Sequence, residues 1–164
     1  MKQLWAPWRM DFIKKANSQK SQSKGCIFCD LPKKGTNKSN LVLFQGQEAY
    51  VIMNRYPYVC GHLMVIPLRH TNDFSSLTQS EHAEMGQLLS LCHDIIKQEY
   101  KPQGFNIGMN LGEAAGAGIK EHLHYHILPR WAGDTNFMSS VGDLRVLPEA
   151  LPKSYERLKK HFTK

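Results

Sequence analysis

The sequence predicts an α+β domain with a mostly antiparallel, five-stranded sheet, one long helix and one short one. Three observations predict it. Short apolar, β-branched runs are separated by turn residues. A capping box precedes a long stretch of helical periodicity. A third segment alternates histidine with apolar residues in steps of two.

Leu41 to Phe44 and Ala49 to Met53 flank a polar turn and read as a hairpin, and the folded part is expected to begin near Leu41. His62 to Ile66 is the third strand, closed by Pro67, which has no N–H to give to a ladder. Thr78-Gln-Ser-Glu81 fits the capping box that opens a helix. Met85, Leu88, Leu89, Cys92, Ile95, Ile96 and Tyr100 then recur at helical steps, until Pro102 and Gly104 stop the helix. Phe105 to Met109 is the fourth strand, followed by a Gly/Ala-rich loop from Gly112 to Gly118. His122 to Leu128 is the fifth, and Ser154 to Phe162 is the short helix. The long helix falls between two strands, leaving room for one parallel crossover, and strand order stays open.

A chain of 164 residues suits one domain with a real core, and 41% apolar content excludes disorder as the default. No run nears the roughly 18 apolar residues of a membrane helix, and the start lacks a secretory stretch, so a cytoplasmic protein is expected. Residues 1–40 hold nine Lys or Arg against two Asp and so carry the whole net charge of +7. This basic arm would steer anionic ligands. A solvated, partly mobile segment is the preferred reading, and nucleic acid is not an expected partner.

His122-Leu-His124-Tyr-His126-Ile-Leu128 carries the chemistry. In a strand, residues two apart lie about 6.6–6.8 Å apart on one side, so the three histidines share a face. Leu123, Tyr125 and Ile127 face the core. Three buried core histidines would each need partners for two ring nitrogens, which is the weaker reading. A three-histidine metal site stays open, since neutral imidazole ligates transition metals. Cys26-Ile-Phe-Cys29 has the spacing of half a zinc site, which two histidines would complete. Free thiols or a redox pair are the alternatives. Cys60 and Cys92 read as core. Trp131 reads equally as a base-stacking platform or as an ordinary buried tryptophan.

HLHYHIL resembles the histidine triad family pattern, in which three histidines alternate with apolar residues. The likeness extends to Asn54-Arg-Tyr-Pro-Tyr-Val-Cys-Gly61-His62-Leu-Met-Val-Ile-Pro67, which is similar to that family's nucleoside-binding hairpin. Asn106 to Gly118 is similar to its phosphate loop, and LWAPWRMDF and PRWAGDTNF resemble the bacterial diadenosine polyphosphate phosphorylase branch, related to the fragile histidine triad hydrolases. The resemblance implies a two-layer fold over residues 41–164, usually a homodimer. It also implies a small-molecule nucleotide substrate and a reaction through a nucleotidyl-histidine. On this likeness His124 attacks the α-phosphorus, His126 holds the bridging or leaving oxygen, and His122 completes the catalytic triad. Asn54, His62, Asn110, Ala117, Gly118, Ile119 and Trp131 contact the nucleotide. Related hydrolases usually carry Gln, Ser or Thr where Ala117-Gly118-Ile119 stands, so the second-step acceptor, water or phosphate, stays open. Relatives with an N-terminal CxxC imply a structural zinc on Cys26, Cys29, His70 and His122, tying the arm to the sheet, with no organic cofactor. The alternatives are a nucleoside phosphoramidate hydrolase, a nucleotide-binding module without catalysis, and a three-histidine metalloenzyme.

Overall fold

A computed structural model describes residues 25–134 and 149–162. In chain order the elements are α1 (Ile27–Asp30), β1 (Val42–Gln45), β2 (Ala49–Met53), β3 (Leu63–Pro67), α2 (Gln79–Tyr100), β4 (Gly104–Gly108), β5 (Tyr125–Arg130) and α3 (Leu151–Lys159). The sheet runs β1-β2-β3-β5-β4, and every neighbouring pair is antiparallel. β3 and β4 are parallel across the α2 connection, but β5 is inserted between them. The expected crossover is therefore present without a parallel ladder.

β2 and β3 are buried along their whole length, as central strands covered on both faces must be. Met85, Leu88, Cys92, Ile95 and Ile96 turn the apolar stripe of α2 onto the sheet. Its N-terminus is closed as the sequence predicts. Thr78 Oγ1 accepts from the Glu81 amide at 3.1 Å, and Glu81 returns the bond to the Thr78 amide at 2.8 Å. Glu84, one turn on, accepts the amides of Gln47 (3.0 Å), Glu48 and Ala49 (2.8 Å), which clamps the β1–β2 turn to the helix. A Cβ on Gly46 would fall 2.3 Å from that carboxylate, so any larger residue there would displace the clamp.

Three expectations are corrected. The folded part begins before Leu41, because Phe28 lies in the core and the buried Asn40 side chain bonds the Leu31 carbonyl (3.1 Å) and the Val42 amide (3.0 Å). The expectation of a mobile basic arm lies outside the described residues for positions 1–24. The last helix starts at Leu151 rather than Ser154, since Pro152 is tolerated in a first turn where no N–H is needed. β5 starts at Tyr125, not His122, and runs on to Arg130. β3 stops at Pro67, and the Leu123 amide bonds the Thr71 carbonyl instead, at 2.8 Å. Pro129 is accommodated because β3 no longer pairs with β5 beyond Ile127.

Candidate active site and metal cluster

His122 and His124 thus lie on the approach to β5 and His126 lies within it. The rings of His124 and His126 are neighbours, 4.8 Å apart and nearly perpendicular, as residues two apart on an extended segment should be. His122 presents its Nδ1 to the cysteines. Both His122 and His124 are buried.

Fixed partners determine each ring's tautomer. The His122 carbonyl accepts only from an N–H, so His124 Nδ1 carries the proton in that 2.9 Å bond. Nε2 of His124 is then the unprotonated nitrogen. No buried side-chain nitrogen lacks a partner among the described residues, so Nε2 lies where solvent or a ligand reaches it, although the residue is only 5% exposed. Burial pushes the pKa of this imidazole down, partly offset by the bond to the His122 carbonyl. The ring is therefore neutral and nucleophilic at neutral pH.

The Tyr58 amide donates to His62 Nδ1 at 3.2 Å. In neutral His62 the proton is then on Nε2, which donates to His126 Nδ1 at 2.9 Å. His126 is left with its proton on Nε2, as a donor. Tyr58 also stacks on His62, with ring centroids 4.7 Å apart. The half-buried Asn54 lies 3.4 Å from the His62 ring through Nδ2 and accepts from the Tyr56 amide at 2.9 Å.

The loop 110–121 is built on turns at Gly112 and Gly116, both at positive φ. Its Ala117 amide is spent internally on the Gly112 carbonyl (3.2 Å), leaving Gly118 and Ile119 as the predicted phosphate contacts not engaged in that turn. Asn110 Nδ2 reaches the Gly116 carbonyl at 3.5 Å, and Lys120 pairs with Glu113 at 3.0 Å. Trp131 shares no hydrogen bond or ring contact with the histidines among the described residues. It is half-buried just past the end of β5, with its amide donating to the Asp134 carboxylate at 3.2 Å.

Cys26, Cys29, His70 and His122 converge, with their ligand atoms all within 4.8 Å of one another. Cys26 Sγ and Cys29 Sγ lie 3.4 and 3.5 Å from His122 Nδ1, and Cys29 Sγ lies 3.4 Å from His70 Nδ1. Tetrahedral zinc with ordinary bond lengths sets sulfur and nitrogen ligands about 3.5 Å apart, so the donor set fits. His122 Nε2 donates to the Pro67 carbonyl at 2.9 Å, which turns the Nδ1 lone pair toward the cluster. Burial pushes His122 down to about 4, and burial together with Cys26 pushes Cys29 up to about 11. A cation would reverse the second shift by drawing out the thiolate. A metal held jointly by His122, His124 and His126 does not fit, because His122 turns Nδ1 to the cysteines and Nε2 to the Pro67 carbonyl, leaving no ring nitrogen for a shared ion. Phe28, Tyr58 and the Pro67 and His122 carbonyls were not legible as site groups. The one signal was the placement of Phe28 between two ligands.

The sequence model of the HIT domain family matches residues 35–133. An AP-4-A phosphorylase of Mycobacterium tuberculosis is 37% identical over 155 residues, covering 92% of this chain and 79% of that protein. A bis(5'-adenosyl)-triphosphatase of Saccharomyces cerevisiae is 36% identical over 104 residues, 63% of this chain and 48% of that protein. A histidine triad nucleotide-binding protein from Sulfolobus tokodaii superposes with a TM-score of 0.64 at 28% identity, covering 84% of this chain and 89% of that one. A zinc-bound histidine triad family protein from Mycobacterium smegmatis gives 0.67 at 24% identity, covering 84% and 93%, a likeness of fold. The chain belongs to the HIT domain family.

Proposed function

We propose that this chain cleaves dinucleoside polyphosphates of the diadenosine tetraphosphate type through a nucleotidyl group carried on His124. The observation that supports this most is the bond from His124 Nδ1 to the His122 carbonyl, which leaves an unprotonated Nε2 on a neutral ring. Nε2 attacks the α-phosphorus, a P–N bond forms, and the P–O bond to the leaving nucleoside polyphosphate breaks. His126, protonated on Nε2, donates to the bridging or leaving oxygen. An acceptor then adds to phosphorus and breaks the P–N bond, so one hard displacement becomes two easier ones. Asn54 serves the ribose side of the nucleotide and the buried His62 backs His126, while Asn110, Gly118 and Ile119 serve the phosphates, with amides donating where glycine permits close approach. We assign phosphate as the acceptor, on the likeness to the mycobacterial phosphorylase over 92% of the chain.

Cys26, Cys29, His70 and His122 would hold a structural zinc. With four protein ligands it has no open position, and its contribution is a cross-link between the N-terminal segment and the approach to β5. The four unpaired cysteines suit a reducing compartment such as the cytoplasm. The protein is assigned as a homodimer joined through β4, one of the two outer strands of the sheet, where Ile107 is 50% exposed.

Product analysis with diadenosine tetraphosphate tests the reading. ADP plus ATP, formed only when inorganic phosphate is present, is the expected result. AMP plus ATP without phosphate would make the protein a hydrolase, and binding without turnover would overturn catalysis altogether.

A further inference from the structure

We propose that Phe28 is a positioning residue for the nucleophile, so that the short helix α1 orients His124 as well as carrying two candidate metal ligands. This rests on His124 being the nucleophile. Phe28 stands between Cys26 and Cys29 in sequence, is 5% exposed, and packs edge-on against two histidine rings. Its centroid is 5.0 Å from that of His124 at 63°, and 5.8 Å from that of His122 at 89°.

The ring is held from both sides. The Phe28 carbonyl accepts from the hydroxyl of fully buried Tyr50 at 2.8 Å, which fixes the backbone of α1 against β2. The flanking cysteine sulfurs approach His122 Nδ1, and the carbonyl of His122 holds His124 Nδ1. One short helix therefore acts on the nucleophile by two routes, through ring packing and through the main chain of His122.

The packing matters because the terminal torsion of histidine is broad and roughly two-fold. A flipped His124 ring would exchange Nδ1 with Cδ2 and Nε2 with Cε1. The bond to the His122 carbonyl would be lost, and a carbon would stand where the lone pair must meet phosphorus. The bond to the His122 carbonyl selects the productive flip, and the wall formed by Phe28 holds the ring plane in which that bond can form. An aliphatic side chain fills similar space but presents no flat edge to the imidazole.

The test compares full-length wild type with Phe28→Leu and Tyr50→Phe, the second of which keeps the ring and releases its backbone anchor. Metal content and melting temperature are measured first. Nitrogen NMR of the histidine rings then reports the tautomer and order of His124 without any turnover. Finally, the single-turnover rate of nucleotidyl-enzyme formation is set against nucleotide affinity. Phe28→Leu is expected to keep metal and nucleotide affinity while the rate falls about 10- to 100-fold, the range for a misplaced reacting atom. The His124 signals should broaden or report mixed tautomers, and Tyr50→Phe should shift both readouts less, in the same direction. Unchanged ring signals in a folded Phe28→Leu protein would overturn the proposal, as would a rate loss matching lost metal or folded protein. If wild type forms no nucleotidyl-histidine, the nucleophile reading fails, and the ring signals still show whether Phe28 orders His124.

Discussion

Arg69→Met should cost about 3 kcal/mol of folding stability. Arg69 forks onto the Glu81 carboxylate, with Nε to Oε1 and Nη2 to Oε2 both at 2.8 Å, while Glu81 is only 2% exposed. Without Arg69 the buried carboxylate keeps the Thr78 amide. Breaking a buried pair by removing one partner typically costs about 3–5 kcal/mol. The electrostatics act in the same direction. The Arg69 bonds, then the Thr78 amide, hold Glu81 at about 2 rather than 4.5. That shift combines the Arg69 and Thr78 bonds, and the half-exposed guanidinium places the cost of losing Arg69 alone at the lower end of the range. A folded-state pKa below the unfolded value means the contribution is present above pH 4.5 and is lost as pH falls toward 2. The assay is urea unfolding at pH 7 and near pH 3 for wild type, Arg69→Met and Glu81→Gln. A drop of 3 kcal/mol at pH 7 moves the urea midpoint by roughly 1.5 M for a typical slope of about 2 kcal/mol/M. The variants should also lose the Glu81 share of the wild-type dependence on pH between 4.5 and 2, while the share of Glu99, likewise held at about 2 by Lys160 and His161, remains. A loss below about 1 kcal/mol for Arg69→Met, the exposed-pair range, would refute the reasoning.

Cys29→Ser should abolish stoichiometric zinc binding and lower the melting temperature, and chelation should lower it in wild type but not in the variant; elemental analysis with calorimetry checks this. Full zinc occupancy in the variant would count against the Cys26, Cys29, His70 and His122 set. His62→Phe should lower kcat about 10- to 100-fold with little change in KM, because His126 loses the donor that fixes its tautomer. Steady-state kinetics decides, and a rise in KM alone would make His62 a binding group instead.

How far these features were legible in sequence depended on whether the signal was local. The capping box of α2 and its apolar stripe were legible because both arise within a few turns of one helix. The convergence of His70 and His122 with the cysteines rested on family likeness rather than spacing, since 41 and 93 residues separate them from Cys29. Strand order was not legible, because it is set by the insertion of β5 between β3 and β4. The triad misled in one respect. Strict alternation suggested a strand from His122, whereas the end of β3 at Pro67 removes the ladder there and lets the His122 ring turn to the cysteines. Phe28 looked like an ordinary apolar residue, and only packing reveals that it touches two histidines.

The central claim is that the Nε2 lone pair of His124 takes the nucleotidyl group. Rapid-quench mass spectrometry with diadenosine tetraphosphate and no phosphate tests it directly. The account predicts one added AMP mass on the peptide bearing His124, discharged as ADP when phosphate is supplied, and absent in His124→Ala. Turnover with no adduct in wild type, or an adduct that persists in His124→Ala, would contradict it.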